Sequence, residues 1–289
     1  MRTLRTDLAL ERHAQLANGV PEGIVFTEEP GDGYVLTKIE VLTDAAAEVL
    51  GKPKGAYYTV SLEAFPDSAS LTDGRLAAVT QTLTSLLPPS GGVLVAGLGN
   101  TAVTPDALGP KCAGMVLATR HIDRETQKRL SLPHLREVSV LAPGVTGQTG
   151  LEAAEIIAGM CEKVKPGCVI AVDALAAAGT ERLVKTVQIS SSGIEPGSGV
   201  GNARRALNAA NLGVPVISVG VPTVVDALSL ARDVFDAQTE AHPAGELAQM
   251  MVTPRDIDTV VDSAARLLAL AINCALQKNL SSEELLGLM

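Results

Sequence analysis

Val93-Leu94-Val95-Ala96-Gly97-Leu98-Gly99-Asn100-Thr101-Ala102-Val103-Thr104-Pro105-Asp106-Ala107-Leu108-Gly109 is the stretch on which the fold turns. Its first four residues form an apolar run of the length and composition of a buried strand. Gly97 and Gly99 mark a turn, and Thr104-Pro105 reads as a helix start. The threonine hydroxyl can cap free N–H groups, and proline at the first helical position already has the required φ. Asp106 then falls in the first helical turn, where the helix dipole favours a carboxylate. This puts a carboxylate at the C-terminal end of a buried strand, where open α/β sheets bind ligands. Two other readings fit the same letters. Gly97-x-Gly99-x-x-Ala102 matches a loose dinucleotide fingerprint, although the helix starts at Pro105 rather than inside the glycines. An aspartate beside a helix start is also commonly just a cap.

Downstream, the same rhythm repeats. Strand-like runs at 93–96, 138–142, 168–172, 184–189 and 214–219 alternate with helical stretches at 106–118, 149–164, 202–211, 222–237 and 255–278. Such alternation predicts an α/β fold, a largely parallel sheet with helices on both faces. The run 184–189 follows Asp173 too closely for a full crossover, so an antiparallel strand is expected there. Thr253-Pro254 reads as a second helix start of the Thr-Pro kind, after a loop at 238–253.

A second carboxylate ends a buried run in Cys168-Val169-Ile170-Ala171-Val172-Asp173. Strand ends of a parallel sheet converge on one edge, so Asp106 and Asp173 are expected to face one crevice. Two close carboxyls do not both ionise easily and can share a proton. One can then act as general base on a water while the other, protonated, polarises a carbonyl. Capping is the plainer role for Asp173, and for Asp226 it is the preferred one. The glycine-rich 194–202 lacks the Lys-Ser/Thr of a P-loop, and Ser198 lies in no G-x-S-x-G frame. A substrate-lining or structural turn is expected there. The four histidines are scattered, without H-E-x-x-H, and His121, at the end of the helix that begins near Asp106, is expected to be a C-terminal cap or a residue supporting the site from behind rather than a ligand.

Upstream, 24–28 and 34–42 alternate around Pro30-Gly31-Asp32-Gly33, a hairpin signal. A helix at 44–50, a strand at 57–62 and a helix at 75–87 follow. Pro88-Pro89-Ser90-Gly91-Gly92 is the clearest internal boundary, giving an N-terminal antiparallel extension over 1–90 and an α/β catalytic domain over 91–289.

Composition narrows the function. Of the 289 residues 46% are hydrophobic but only 2% aromatic, so the core is aliphatic, as a helix-covered parallel sheet requires. Few aromatics and a net charge of −9 argue against direct nucleic-acid binding. Cys112, Cys161, Cys168 and Cys274 show no zinc spacing and read as reduced, mostly buried thiols of a cytoplasmic protein. No signal peptide and no run of about 20 uncharged apolar residues is evident, so no membrane partner is expected.

At these residues the chain resembles the germination protease family, the spore endopeptidases. The resemblance rests on Gly97–Asn100 with Val103 to Pro110, on Thr119-Arg120-His121 and on Ala142 to Val145. It continues through Val172 to Ala176, Gln188 to Ser190, the 193–202 loop, and Gly213 to Ala227. Arg5 to Glu11 and Met251 to Pro254 carry it to both ends. It implies an endopeptidase that degrades small acid-soluble spore proteins in the spore core at germination, a homotetramer, and a fold related to the hydrogenase maturation peptidases. The family's two catalytic aspartates fall on Asp106 and Asp173. No cofactor is expected and no metal ligand is assigned, although acidic residues at the corresponding places grip a metal in the hydrogenase peptidases. Family members are zymogens whose pro-segment ends just before the stretch matching Leu4 to Asp7; here Met1, Arg2 and Thr3 precede it. The segment between Asp226 and Met251 is shorter than the family pattern. The alternatives are a metal-dependent maturation peptidase of the hydrogenase type and a non-catalytic nucleotide-binding module using the glycine loops.

Overall fold

The computed structural model describes residues 6–16, 21–66, 71–197, 204–235 and 250–289. A short helix, Ala9–Ala14 (α1), precedes a hairpin of Ile24–Gly31 (β1) and Tyr34–Val41 (β2). Gly31 pairs with Tyr34, so the reversal falls on Asp32-Gly33, with Gly33 at φ +76°. Asp44–Leu50 (α2) is capped by the Thr43 hydroxyl, which accepts from Ala46 N–H. Gly55–Leu62 (β3) pairs antiparallel with β2, and Gly74–Leu86 (α3) is capped by Asp73.

Past the Pro-Gly boundary come Val93–Gly97 (β4), Leu108–Ala113 (α4), Arg124–Arg129 (α5) and Val138–Leu141 (β5). Thr146–Thr149 (α6), Ala153–Val164 (α7) and Cys168–Ala177 (β6) follow. Then come Thr186–Ser190 (β7), Ala209–Leu212 (α8), Val216–Asp226 (β8) and Ala227–Phe235 (α9). Met251–Val252 (β9), Ile257–Leu276 (α10) and Ser282–Gly287 (α11) complete the described chain.

All these strands join one mixed sheet in the order β1-β2-β3-β7-β8-β6-β4-β5, with β9 pairing β8. The block β8-β6-β4-β5 is parallel, and β7 lies antiparallel to both β8 and β3. The hairpin thus continues the same sheet across the boundary near residue 90.

Alternate residues of the parallel strands feed two different cores, as a sheet covered on both faces demands. Val93, Val95, Cys168, Ile170 and Val172 join the core with α3, α4 and α10. Leu94, Ala96, Val169 and Ala171 join a second core with α7. The 20-residue α10 is long and apolar enough by composition to cross a membrane. Here its buried run from Leu267 to Ile272 is the spine of the first core. Cys112, Cys161 and Cys168 are buried and all four thiols are free.

Several boundaries differ from the sequence reading, each for a tertiary reason. The helix expected over 106–118 is a 3₁₀ turn, Thr104–Asp106, followed by α4, which ends at Ala113. Its N-cap is Val103, without a side-chain cap. His121 lies in an exposed turn beyond that helix and caps nothing there. The helix expected from 222 begins at Ala227, because β8 runs on to Asp226 between β6 and β9. Pro222 is tolerated there beside a bulge in β8, where Leu175 pairs with Pro222 and Ala176 with Val224, leaving Thr223 without a partner position in β6. Thr253 does not open α10; its hydroxyl donates to Thr223 O at 2.9 Å, and the helix starts at Ile257. Asp226 is the cap it was read to be: Oδ1 accepts from Ser229 N–H at 2.8 Å and Oδ2 from Ser229 Oγ at 2.9 Å. Ser198 and most of the 238–253 loop lie outside the described residues.

Candidate active site

The chain leaves β4 toward β5 with α4 on one face, then returns past β4 to β6 with α7 on the other. The connections therefore diverge at the C-terminal end of β4, the point where an open α/β sheet leaves a crevice. Gly97, the last residue of β4, pairs with Val172. The next residue of β6 is Asp173. It is not a strand end, since β6 continues to Ala177 alongside β8. What exposes its side chain to the crevice is that β4 stops one register position earlier. By alternation Asp173 shares the face of Val169 and Ala171, on the α7 side.

Asp106 reaches the same crevice through a fold-back of the chain. Leu98 N–H donates to Val172 O at 2.8 Å, and Asn100 N–H donates to Asp106 O at 3.0 Å. Asn100 Oδ1 accepts from Ala102 N–H and from Gln148 Nε2, both at 3.0 Å, which fastens the turn to α6. Gly99 takes φ +118°, and a Cβ there would sit 2.0 Å from Asp106 O. Its glycine serves the protein's own backbone, so the dinucleotide reading of Gly97-x-Gly99 loses its purpose.

A cavity of about 520 Å³ is lined by Asp106 and Asp173 together, and by Asp7 and Arg204. Leu98, Val103, Val145, Leu175, Val224 and Met251 give it apolar walls. Asp173 is 6% exposed. Burial holds its carboxyl well above the usual carboxylate range, and the negative charges of Asp106 and Asp7 push the same way. The Ala174 N–H, donating to Oδ1 at 2.9 Å, opposes them only in part. Burial also raises Asp106, but the Asn100 N–H and the Arg204 guanidinium pull it back toward ionisation. Two carboxyls of one cavity thus sit in environments that separate their titrations, the pattern of an acid and a base.

Sequence reasoning brings Asp106 and Asp173 together; it missed Arg204 and Asp7. Arg204 hydrogen-bonds Thr146 Oγ1, pairs with Glu152 at 3.8 Å and donates its own N–H to Pro196 O at 3.0 Å. Asp7 Oδ2 accepts from Ala176 N–H at 2.9 Å. Asp7 belongs to the stretch Arg5 to Glu11 that shares the family resemblance, and nothing local marks its carboxylate as part of the cavity.

A metal fits this cavity poorly. No group of three His, Cys, Asp or Glu side chains among the described residues is spaced to hold an ion. The Arg204 guanidinium in the same space opposes a cation there.

An α/β protein with a carboxyl pair in its switch-point cavity has the groups that general acid–base hydrolysis uses. Comparison with known proteins makes the class specific. The germination protease family model matches residues 5–247. A germination protease of Clostridium perfringens is 36% identical over 99% of this chain and 98% of its own length. One from Caldanaerobacter subterraneus subsp. tengcongensis is 36% identical over 98% and 97%. One from Bacillus cereus is 41% identical over 81% of this chain and 66% of its own. The chain belongs to the germination protease family and is an endopeptidase. A nickel–iron hydrogenase maturation protease from Thermococcus kodakarensis KOD1 superposes with a TM-score of 0.38 at 16% identity, over 66% of this chain and 98% of its own.

Proposed function

We propose that the chain cleaves small acid-soluble spore proteins at germination, with Asp106 and Asp173 as an aspartic-type catalytic pair. The observation that carries the reading is the unequal electrostatics of the two carboxyls in one cavity. Asp106, facing Arg204, is the base: it takes a proton from a water as that water attacks the scissile carbonyl carbon. Asp173, neutral by burial, gives its proton to the carbonyl oxygen. The tetrahedral diol then collapses as Asp106 returns its proton to the amine nitrogen and Asp173 recovers one from the diol hydroxyl. The apolar walls suit an aliphatic or aromatic side chain beside the scissile bond.

The substrate class, a homotetrameric assembly, zymogen processing and residence in the spore core come from the family resemblance and belong to this proposal. So does the division into an extension over 1–90 and a catalytic domain over 91–289, with the extension contributing Asp7 to the cavity. Asp106→Asn and Asp173→Asn test the mechanism with purified small acid-soluble spore protein as substrate. Each variant should fold and lose activity by about 10²–10⁴-fold, the usual worth of a general acid or base. Folded variants that both cleave at the parent rate would overturn it.

A further inference from the structure

The segment Thr6 to Ala9 is built into the molecule from three sides. Asp7 N–H donates to Ala176 O at 3.0 Å while Ala176 N–H donates to Asp7 Oδ2 at 2.9 Å. Asp7 therefore lies beside β6 a few residues beyond Asp173. Its carbonyl accepts from Lys52 Nζ at 2.8 Å and from Gln188 Nε2 at 3.0 Å. Ala9 N–H donates to Gln188 Oε1 at 2.7 Å, and Leu8 is fully buried with Leu175 and Ala177.

Within this strip Asp7 lines two cavities, as does Leu175 of β6. One is the space holding Asp106 and Asp173; the other is a polar cavity of about 300 Å³ lined by Lys52, Arg12, Glu195, Tyr57 and Ser190. The Ala176 N–H fixes where the charge of Asp7 stands relative to the pair. Arg204 is a cation of the first cavity and is itself engaged by Glu152. Glu11 is turned away, its carboxylate accepting from Ala178 N–H at 2.8 Å and Gly179 N–H at 3.2 Å.

Resting on the reading of Asp106 and Asp173 given above, we propose that Asp7 is a positioning residue of the acid pair. Its charge, locked beside β6, keeps the shared proton on Asp173 and leaves Asp106 as the base. The physical reason is a difference in neighbours. Asp106 and Asp173 face each other in one cavity, but beyond that shared repulsion Asp173 has the Asp7 carboxylate and one N–H beside it, whereas Asp106 has the Arg204 guanidinium and one N–H. In a site of low dielectric, a third negative charge penalises ionisation most at the carboxyl that has no cation of its own.

Asparagine at position 7 separates charge from structure, because its amide oxygen can still accept from Ala176 N–H while its charge is gone. The experiment follows kcat/KM against pH for the full chain, Asp7→Asn and Asp7→Ala, with a purified small acid-soluble spore protein as substrate and melting temperature as the fold control. Activity needs Asp106 ionised and Asp173 protonated, so the basic limb reports Asp173. Asp7→Asn should move the basic limb to lower pH, leave the acid limb in place and keep the melting temperature. Asp7→Ala should show the same displacement with a lower melting temperature.

A pH profile of Asp7→Asn that superposes on the parent overturns the proposal. So does complete loss of activity at every pH in a folded Asp7→Asn, which would make Asp7 part of the chemistry itself. The same assay on Asp106→Asn and Asp173→Asn separates the two failures. If those variants are inactive while the Asp7→Asn limbs stay put, only the role of Asp7 falls; if they are active, the acid pair and the role of Asp7 fall together.

Discussion

Gly99 and Asp106 are in backbone contact: a Cβ on Gly99 would stand 2.0 Å from the Asp106 carbonyl oxygen and 3.1 Å from its Oδ1, and Gly99 itself holds φ +118°. The turn that delivers the carboxyl to the crevice therefore closes only without a side chain at position 99. Gly99→Ala should cost both a left-handed backbone and a clash, about 2–4 kcal/mol together, with loss of peptidase activity. Gly51→Ala is the control. It has φ +67° with open space around it, and should cost about 1 kcal/mol with activity retained. Urea midpoints and cleavage rates of both variants check the pair. Equal losses of stability would mean that the Gly99 contact contributes nothing.

Asp226, the last residue of β8, has a structural task. Its two oxygens hold Ser229 N–H and Ser229 Oγ at the start of α9. Asp226→Ala removes a cap at a buried position and should lower stability by about 1–2 kcal/mol. Cleavage per folded molecule should be unchanged. A loss of activity beyond the loss of folded protein would contradict the assignment.

How much of this could be read from the letters depends on how local the cause is. Apolar runs and turn residues in 93–96, 168–172 and the hairpin express local preferences, and those strands begin where they were read. Asp173 was legible because it directly follows the apolar run Cys168 to Val172, and Asp106 because the turn glycines and Thr104-Pro105 mark its place after another such run. Arg204 and Asp7 were not, since they enter the cavity through contacts with Thr146, Glu152 and Ala176, far away in sequence. The end of β6 was misplaced for the same kind of reason. A strand stops where its neighbours stop pairing, and β8 accompanies β6 past Asp173 as far as Ala177. Likewise Pro222 looks like a helix start until the bulge beside it at Thr223 of β8 is seen.

Arg204 faces the base of the proposed pair, and its positive charge favours the ionised form of Asp106. Arg204→Gln keeps a donor for Thr146 Oγ1 and removes the charge. Asp106 should then titrate at a higher pH, moving the acid limb of kcat/KM upward, with the basic limb displaced less. Asp7→Asn should act on the opposite limb, so the two variants together assign each limb to a carboxyl. An acid limb indifferent to Arg204→Gln would show that the guanidinium does not reach Asp106 electrostatically.

Asp173 also ties the proposed chemistry to stability. Its native carboxyl is held well above the usual range by burial and by the charges of Asp106 and Asp7, whereas in the unfolded chain it titrates near 3.9 like any aspartate. A raised native value means that the folded state binds the proton more tightly than the unfolded state. That contribution is complete below the unfolded value and is lost as pH rises through the native one. Within this window each unit of pH removes up to about 1.4 kcal/mol from this one group. The neutral amide of Asp173→Asn does not titrate and can still accept the Ala174 N–H on its oxygen. The variant should therefore melt higher than the parent at pH 7, and the gap should shrink steadily as the pH is lowered toward 4. Melting temperatures of parent and variant across that range decide the matter. A gap that does not change with pH, or a variant less stable than the parent at pH 7, would mean that Asp173 does not keep its proton in the folded protein. The division of labour between the two aspartates would then have to be reversed.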